Sequence, residues 1–418
     1  MKKLTVIAVA AVMLFAIPAM ALDVEFSGSY EAAGYYMDNT DLNDKEGAST
    51  AYMDMALGLD MVFKVSDKLS VTTAMDILKD KKWGGDPDPA SGIDWTKAYL
   101  TAKFDMFNLY VGRMGGGMWG TEFGNSETEE DKIKAVKKFG KLKLTASHTK
   151  KTEQDADTDT ADSDKDCYGV NAKYAGEGYK VGFKVRYLRD MTSSDLASPN
   201  NFKKTDMLYS PYIVASVGPV DLEAEVAYKN GEKDFYHSSK QDQDIKALAY
   251  HANAAFNAGP ANLSIGYAFV EGNDTTDNKK NTAYGYCVDF QPLIILFNDK
   301  VGGDLAGIGN LNSDGAYGNI IKNAGYKLLY ATASFSPLEN ITLNAAAGKA
   351  VADETNAGWN DSYGVEYNLG VEVALMDNLT YSATFGYLSA GDFWKQGDAS
   401  SNVDDNTYAL IHSLTVEF

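Results

Sequence analysis

Residues 179–188 read YKVGFKVRYL. The odd positions Tyr179, Val181, Phe183, Val185 and Tyr187 are all apolar or aromatic, while Lys180, Lys184 and Arg186 stand at even ones. Strict period two over this length is the mark of a β-strand with one apolar face and one polar face. The polar face holds three cations and no acid, in a chain whose formal net charge is −20. The surroundings of this strand must therefore suit a greasy side and a strongly basic one.

The same alternation recurs along the chain, in segments joined by connectors that are short, then long, then short again. The short ones carry tight-turn residues: Ser66-Asp67-Lys68, Phe139-Gly140-Lys141, Gly176-Glu177-Gly178, Gly218-Pro219, Gly259-Pro260 and Met376-Asp377-Asn378. The long ones are polar: 38–50, 79–93, 115–131, 152–166, 191–205, 231–244, 272–281, 299–324, 353–361 and 391–405. A soluble sandwich has no reason to sort its connectors by length. A barrel across the outer membrane does, with short periplasmic turns and long extracellular loops. The fold expected is all-β, a transmembrane antiparallel up-and-down β-barrel of about 18–20 strands. Twenty are counted between the connectors, and sixteen remains possible because 293–298 is the weakest segment.

The face assignment follows from cost. A Lys or Arg facing lipid costs roughly 2–4 kcal/mol near the bilayer midplane, so three would cost about 6–12 kcal/mol together. Lys180, Lys184 and Arg186 must face the lumen. In residues 53–63 the odd side is Met53, Met55, Leu57, Leu59, Met61 and Phe63, opposite Asp54 and Asp60. In residues 363–375 an apolar odd side opposes Glu366 and Glu372. Tyr35, Tyr52, Tyr168, Tyr187, Tyr228 and Tyr387 suit the aromatic girdles at the membrane interfaces.

Lys2 and Lys3, an apolar run from Leu4 to Ile17, Pro18 and Ala19-Met20-Ala21 form the pattern of a cleaved signal peptide over residues 1–21. Residues 22–418 then make one barrel domain, exported to the cell outer membrane as a multi-pass protein. The two cysteines, Cys167 and Cys287, allow one disulfide at most and require none. With 58 acids against 38 basic residues, nucleic acid is not an expected partner.

Parity also maps the lumen. Residues 132–151, KIKAVKKFGKLKLTASHTKK, hold eight lysines and no acid. With neighbouring segments they give a basic wall of Lys97, Lys103, Lys134, Lys138, Lys143, Lys173, Lys180, Lys184 and Arg186. An acidic wall of Asp54, Asp60, Asp76, Glu223, Glu225, Glu366 and Glu372 flanks it on either side in sequence, and so faces it across a closed barrel. Opposed walls set a transverse field that orients dipolar solutes, and charged linings set ion preference. Which ion wins is left open, because the walls compete. The loop 152–166 has seven acids and one lysine, but no EF-hand spacing, and reads as a solvated loop.

Residues 94–124, DWTKAYLTAKFDMFNLYVGRMGGGMWGTEFG, resemble a hairpin of general bacterial porins. There, a strand ending in Gly-Arg is followed by a long loop with a Glu-Phe-Gly element that folds inward to narrow the pore. The matching pieces are Gly112-Arg113 and Glu122-Phe123-Gly124. The resemblance implies a constriction loop at 115–131, with Arg113, Glu122, Glu127, Glu129, Glu130 and Asp131 at the constriction. It also implies a homotrimer, contact with outer-membrane lipid and lipopolysaccharide, and passive diffusion of ions and small hydrophilic solutes. The ending NTYALIHSLTVEF is similar to the last strand of bacterial outer-membrane proteins, whose final aromatic residue, here Phe418, is read by the barrel-assembly machinery.

Enzymatic chemistry has no foothold in the sequence. His148, His237, His251 and His412 lack metal-ligand spacing, and no haem attachment, nucleophile elbow or P-loop occurs. No cofactor is expected. A second reading is a barrel conduit that sheaths an electron-transfer cytochrome or exports a polymer. It shares the size and the charged lumen but needs a bore without an infolded loop.

Overall fold

The computed structural model describes residues 23–418 apart from 40–41, 43–48, 86–92, 126–127, 155–162, 194–200, 237–239, 275–279, 282–288, 299, 302–310, 312–323, 399–400, 402 and 404–405. The expected leader, Cys287 and Glu127 lie outside the described residues.

The first strands are β1 (Asp23–Met37), β2 (Thr50–Ser66), β3 (Leu69–Leu78), β4 (Asp94–Lys103), β5 (Asn108–Gly115) and β6 (Glu129–Phe139). Next come β7 (Leu142–Thr152), β8 (Lys165–Ala175), β9 (Tyr179–Ser193), β10 (Phe202–Val217), β11 (Val220–Phe235), β12 (Gln243–Ala258) and β13 (Ala261–Val270). The two-residue β14 (Lys280–Asn281) precedes β15 (Tyr326–Leu338), β16 (Ile341–Val351), β17 (Ser362–Met376), β18 (Leu379–Ala390) and β19 (Thr407–Glu417). Each long strand pairs antiparallel with its neighbour in sequence, and β13 pairs directly with β15. β19 returns to β1 and closes the barrel. At this seam Gly28 and Phe418 exchange backbone hydrogen bonds of 2.8 and 3.0 Å. β14 adds only a two-residue parallel contact to β12, so the staves number 18.

Eighteen, rather than the twenty counted, has a specific cause. The segment between 282 and 298 is too apolar to read as loop, yet its described part, 289–298, forms no strand. Leu293, Ile295, Leu296 and Phe297 have no solvent exposure. They pack inside the barrel, where an apolar run satisfies the hydrophobic effect as well as it would between staves.

The periplasmic ends close with tight turns. At Gly218-Pro219 and Gly259-Pro260 the glycines take φ of +62° and +61°, which a side chain would resist and a two-residue hairpin needs. The outer wall is apolar: Leu369 is 65 % exposed and Val170 62 %. Such a belt has no place in water and matches the lipid-facing band of a barrel. Tyr168, Tyr228 and Tyr387 are exposed there, as expected for girdle residues. Tyr35 and Tyr52 do not join them. The alternation of β1 turns Tyr36 outward to stack near Tyr408, while Tyr35 and Tyr52 pair with each other, 5.0 Å apart, and Tyr35 takes the Lys300 ammonium on its ring from inside.

Candidate functional site: the charged lumen and its two inward loops

The register decides which charges face inward. Lys138, Lys143 and Lys173 are successive cross-strand partners on β6, β7 and β8, and Lys184 pairs with Asn171 across β8–β9. Lys134 lies over the Tyr110 ring, and Lys173 donates to the Met118 carbonyl of the loop after β5. Lys97, Lys103, Lys180 and Arg186 share the inward alternation of these residues. Asp60 pairs with Lys97 at 3.6 Å, and Asp76 and Glu372 stand on the inward side of β3 and β17.

The described part of the loop after β5, residues 116–125 and called L3 hereafter, lies against β10, β11 and β12. Its Trp119 donates to Ser210 on β10 at 2.7 Å, and its ring receives the ammonium groups of Lys173 and Lys184 at 4.8 and 4.9 Å. Thr121 gives both its backbone N–H (2.8 Å) and its hydroxyl (3.1 Å) to the Glu225 carboxylate on β11. The same hydroxyl accepts from Phe123 N–H and so starts a single 3-10 turn, Glu122–Gly124. Gly120 and Gly124 explain the glycine-rich sequence here. A Cβ on either would sit 2.3 or 1.8 Å from the Glu225 carboxylate, so only glycine lets the backbone close over that group.

Between β13 and β15 the described residues 289–298, 300 and 301 form a second inward segment, L7 hereafter. Glu366 on β17, with no solvent exposure, accepts the backbone N–H of Ile295 (2.8 Å) and Leu296 (2.9 Å). Asn368 bonds the same carboxylate and also takes Ile294 N–H. Further along, Lys300 reaches β2 and the loop after β3, bonding Asp54 at 3.0 Å and Asp80 at 2.7 Å. Burial works against the Lys300 charge, but the hydrogen bonds to Asp80 and Asp54 outweigh it and hold the ammonium's pKa above the usual lysine range. L3 and L7 meet inside the barrel. Asn125 donates to Asp289 at 2.7 Å, and Phe123 packs on Phe290 and on His251 of β12. His251 in turn bonds the Tyr330 hydroxyl at 2.8 Å.

Two parts of the sequence reading change, both on the acidic wall. Glu225 and Glu366, assigned to an open acidic wall, are buried clamps whose oxygens accept hydrogen bonds from loop backbone. Asp54 is likewise taken up by Lys300. Arg113 and Asp131, assigned to the constriction, are register partners that bond each other at 3.4 Å. By alternation Asp131 and Glu129 fall on the side of Ile133, yet both, with Arg113 and Glu130, line a cavity beside Trp119, Phe123 and Gly124 of L3. Glu122 is exposed on L3, and Glu130 turns inward to bond Lys132 and Lys151. Glu223 lies 3.9 Å from His251, beside the junction of the loops. L7 as an inward loop was not anticipated. The only hint in the sequence was an apolar run, 293–297, set among long polar connectors.

Comparison with known proteins agrees with this architecture. A family model described as Gram-negative porin matches residues 8–291, more than half of the chain. Among solved structures the chain is similar to OpdL of Pseudomonas aeruginosa, at 11 % identity over 95 % of this chain and 99 % of that one, with a TM-score of 0.57. It is also similar to OccK8 (OprE) of Pseudomonas aeruginosa, at 11 % identity over 95 % and 98 %, with a TM-score of 0.55. No curated protein sequence matches. At such identities the structural likeness is one of fold.

Proposed function

Because the chain belongs to the Gram-negative porin family, we propose that it forms a water-filled diffusion channel for ions and small hydrophilic solutes. The outer membrane is where such a barrel resides. One observation carries the proposal: L3 is clasped from inside to Glu225 on β11, six staves around the wall from β5, which fits a loop that narrows a bore rather than one that extends into the medium. The basic residues of β4 to β9 would then line the passage, with Asp60, Asp76, Glu122, Glu223 and Glu372 supplying the opposing charge. A conduit for a cytochrome or a polymer is the weaker reading, since both inward loops occupy space that it would need. A homotrimer is part of the proposal on the strength of porin membership, as are lipid and lipopolysaccharide around the belt. Barrel assembly through Phe418 rests on the likeness of the last strand.

Single-channel recording in planar bilayers tests the channel. The purified protein should give stable conductance steps. Replacing Lys180, Lys184 and Arg186 together by Glu should move the reversal potential in a salt gradient toward cation preference. Absence of any conductance would refute the diffusion channel, and an unmoved reversal potential would remove these residues from the passage.

A further inference from the structure

His251 on β12 stands where L3 and L7 meet and is 3 % exposed. The Phe123 ring of L3 stacks on it at 5.4 Å, the Phe290 ring of L7 meets it edge-on at 5.0 Å, and the Tyr330 ring of β15 lies parallel to it. Its Nε2 is bonded to the Tyr330 hydroxyl at 2.8 Å. Its Nδ1 has no hydrogen-bond partner among the described residues. Glu223 on β11 stands 3.9 Å from Nδ1, beyond hydrogen-bond reach, and bonds Asn253 instead. The other titratable groups at the junction are Glu225, Glu122 and Asp289. Glu225 on β11 is taken up by Thr121 and Ser210, Glu122 is exposed on L3, and Asp289 on L7 accepts from Asn125. β13 sets the uncharged Ala268 beside His251.

We propose that His251 is a pH-sensitive latch: proton uptake by its imidazole frees L3 and L7 from one another and widens the bore in acid. The effect on conduction rests on the channel reading above; the latch itself does not. A neutral ring needs one partner and has it in Tyr330. The imidazolium has a second N–H, at Nδ1, and no acceptor to give it to. A charge closed between two phenyl rings and short of one hydrogen bond is costly, and the Phe123 face recovers less than the hydration lost. Once the loops part, water reaches Nδ1 and the cost disappears. The proton therefore binds the released junction better than the docked one, and falling pH moves the loops apart. The junction is complete above about pH 6.5, where a wet imidazole titrates, and the ratio of released to docked loop rises about tenfold per pH unit below it. Wet carboxylates titrate lower, near about pH 4, outside this window.

The test is amide hydrogen exchange of residues 118–125 in the purified barrel, at about pH 7.5 and 5.5, one unit either side of a wet imidazole's value. Rates are divided by those of the unstructured peptide at each pH, and single-channel records are taken at the same two values. Wild-type protection should drop about tenfold between them, with conductance and open-channel noise rising together. His251→Gln, which does not titrate, should show no drop. His251→Phe keeps the ring stack without the proton, and should be equally flat if the glutamine packs badly. Glu223→Gln should keep the drop, and its loss there would overturn the latch. A drop that survives in both His251 variants overturns it too, by assigning the proton to a carboxylate. A wild type that conducts but keeps its protection at both values fails the latch and leaves the channel standing. Protection that drops in a protein without conductance keeps the latch and fails the channel.

Discussion

Replacing Glu225 by Ala should release L3. The side chain accepts two hydrogen bonds from Thr121 at 2.8 and 3.1 Å, one from backbone N–H and one from the hydroxyl. A hydrogen bond to a charged group is worth about 1.5–3 kcal/mol, so the two together hold the loop by about 3–6 kcal/mol. Losing even the lower figure shifts the ratio of docked to undocked loop about a hundredfold, since each 1.4 kcal/mol is tenfold. The Thr121 N–H, buried against the wall, would also lose its acceptor, which adds to the drive outward. Glu225→Gln keeps an oxygen for Thr121 but removes its charge, so its effect should be about half as large in free energy. The assay is single-channel recording, with heat-modifiable mobility on denaturing gels to show that the barrel itself is intact. Glu225→Ala should give larger mean conductance and greater open-channel noise, with Glu225→Gln between it and the wild type. Gly124→Val offers an independent route to the same state, because even its Cβ would stand 1.8 Å from the Glu225 carboxylate. A folded Glu225→Ala channel with the conductance and noise of the wild type would refute the clamp.

Other consequences concern L7 and the seam. Glu366→Ala removes the acceptor of Ile295 and Leu296 N–H, so L7 should become cleavable by protease added outside intact cells, whereas the wild type resists. Equal resistance of the two would dismiss Glu366 as an anchor. Lys300→Ala severs the link to Asp54 and Asp80 and should raise conductance. Because the folded ammonium's pKa stands above the ordinary lysine value, the link is fully present below that value and is lost only as pH rises through the folded pKa, in strong alkali. Conductance that depends on Lys300 should thus stay level from about pH 6 to 9, and a Lys300-dependent midpoint near neutrality would contradict this. Deleting Phe418 removes both backbone bonds to Gly28, so less folded barrel should be recovered from membranes and it should lose heat-modifiable mobility at lower temperature. Unchanged yield and transition temperature would show that the seam does not need that residue.

The sequence by itself determined the barrel. Period-two alternation tells each side chain which face it takes, and the cost of a cation in lipid tells which face is inside. That is why the inward placement of Lys134, Lys173 and Lys184 could be read from spacing alone. It also determined the turns, because Gly-Pro pairs carry their own backbone geometry. Alternation cannot say who satisfies a backbone N–H. The segment 289–298 is apolar enough for a stave, but its amides go to Glu366, 71 residues away from Ile295 in the chain, and not to a neighbouring strand. Thr121 and Glu225 are 104 residues apart. Nothing local distinguishes a glutamate that faces the pore from one that is sealed under a loop. Only the tertiary structure decided that two members of the acidic wall are clamps, because the N–H groups that reach their oxygens come from loops distant in the chain.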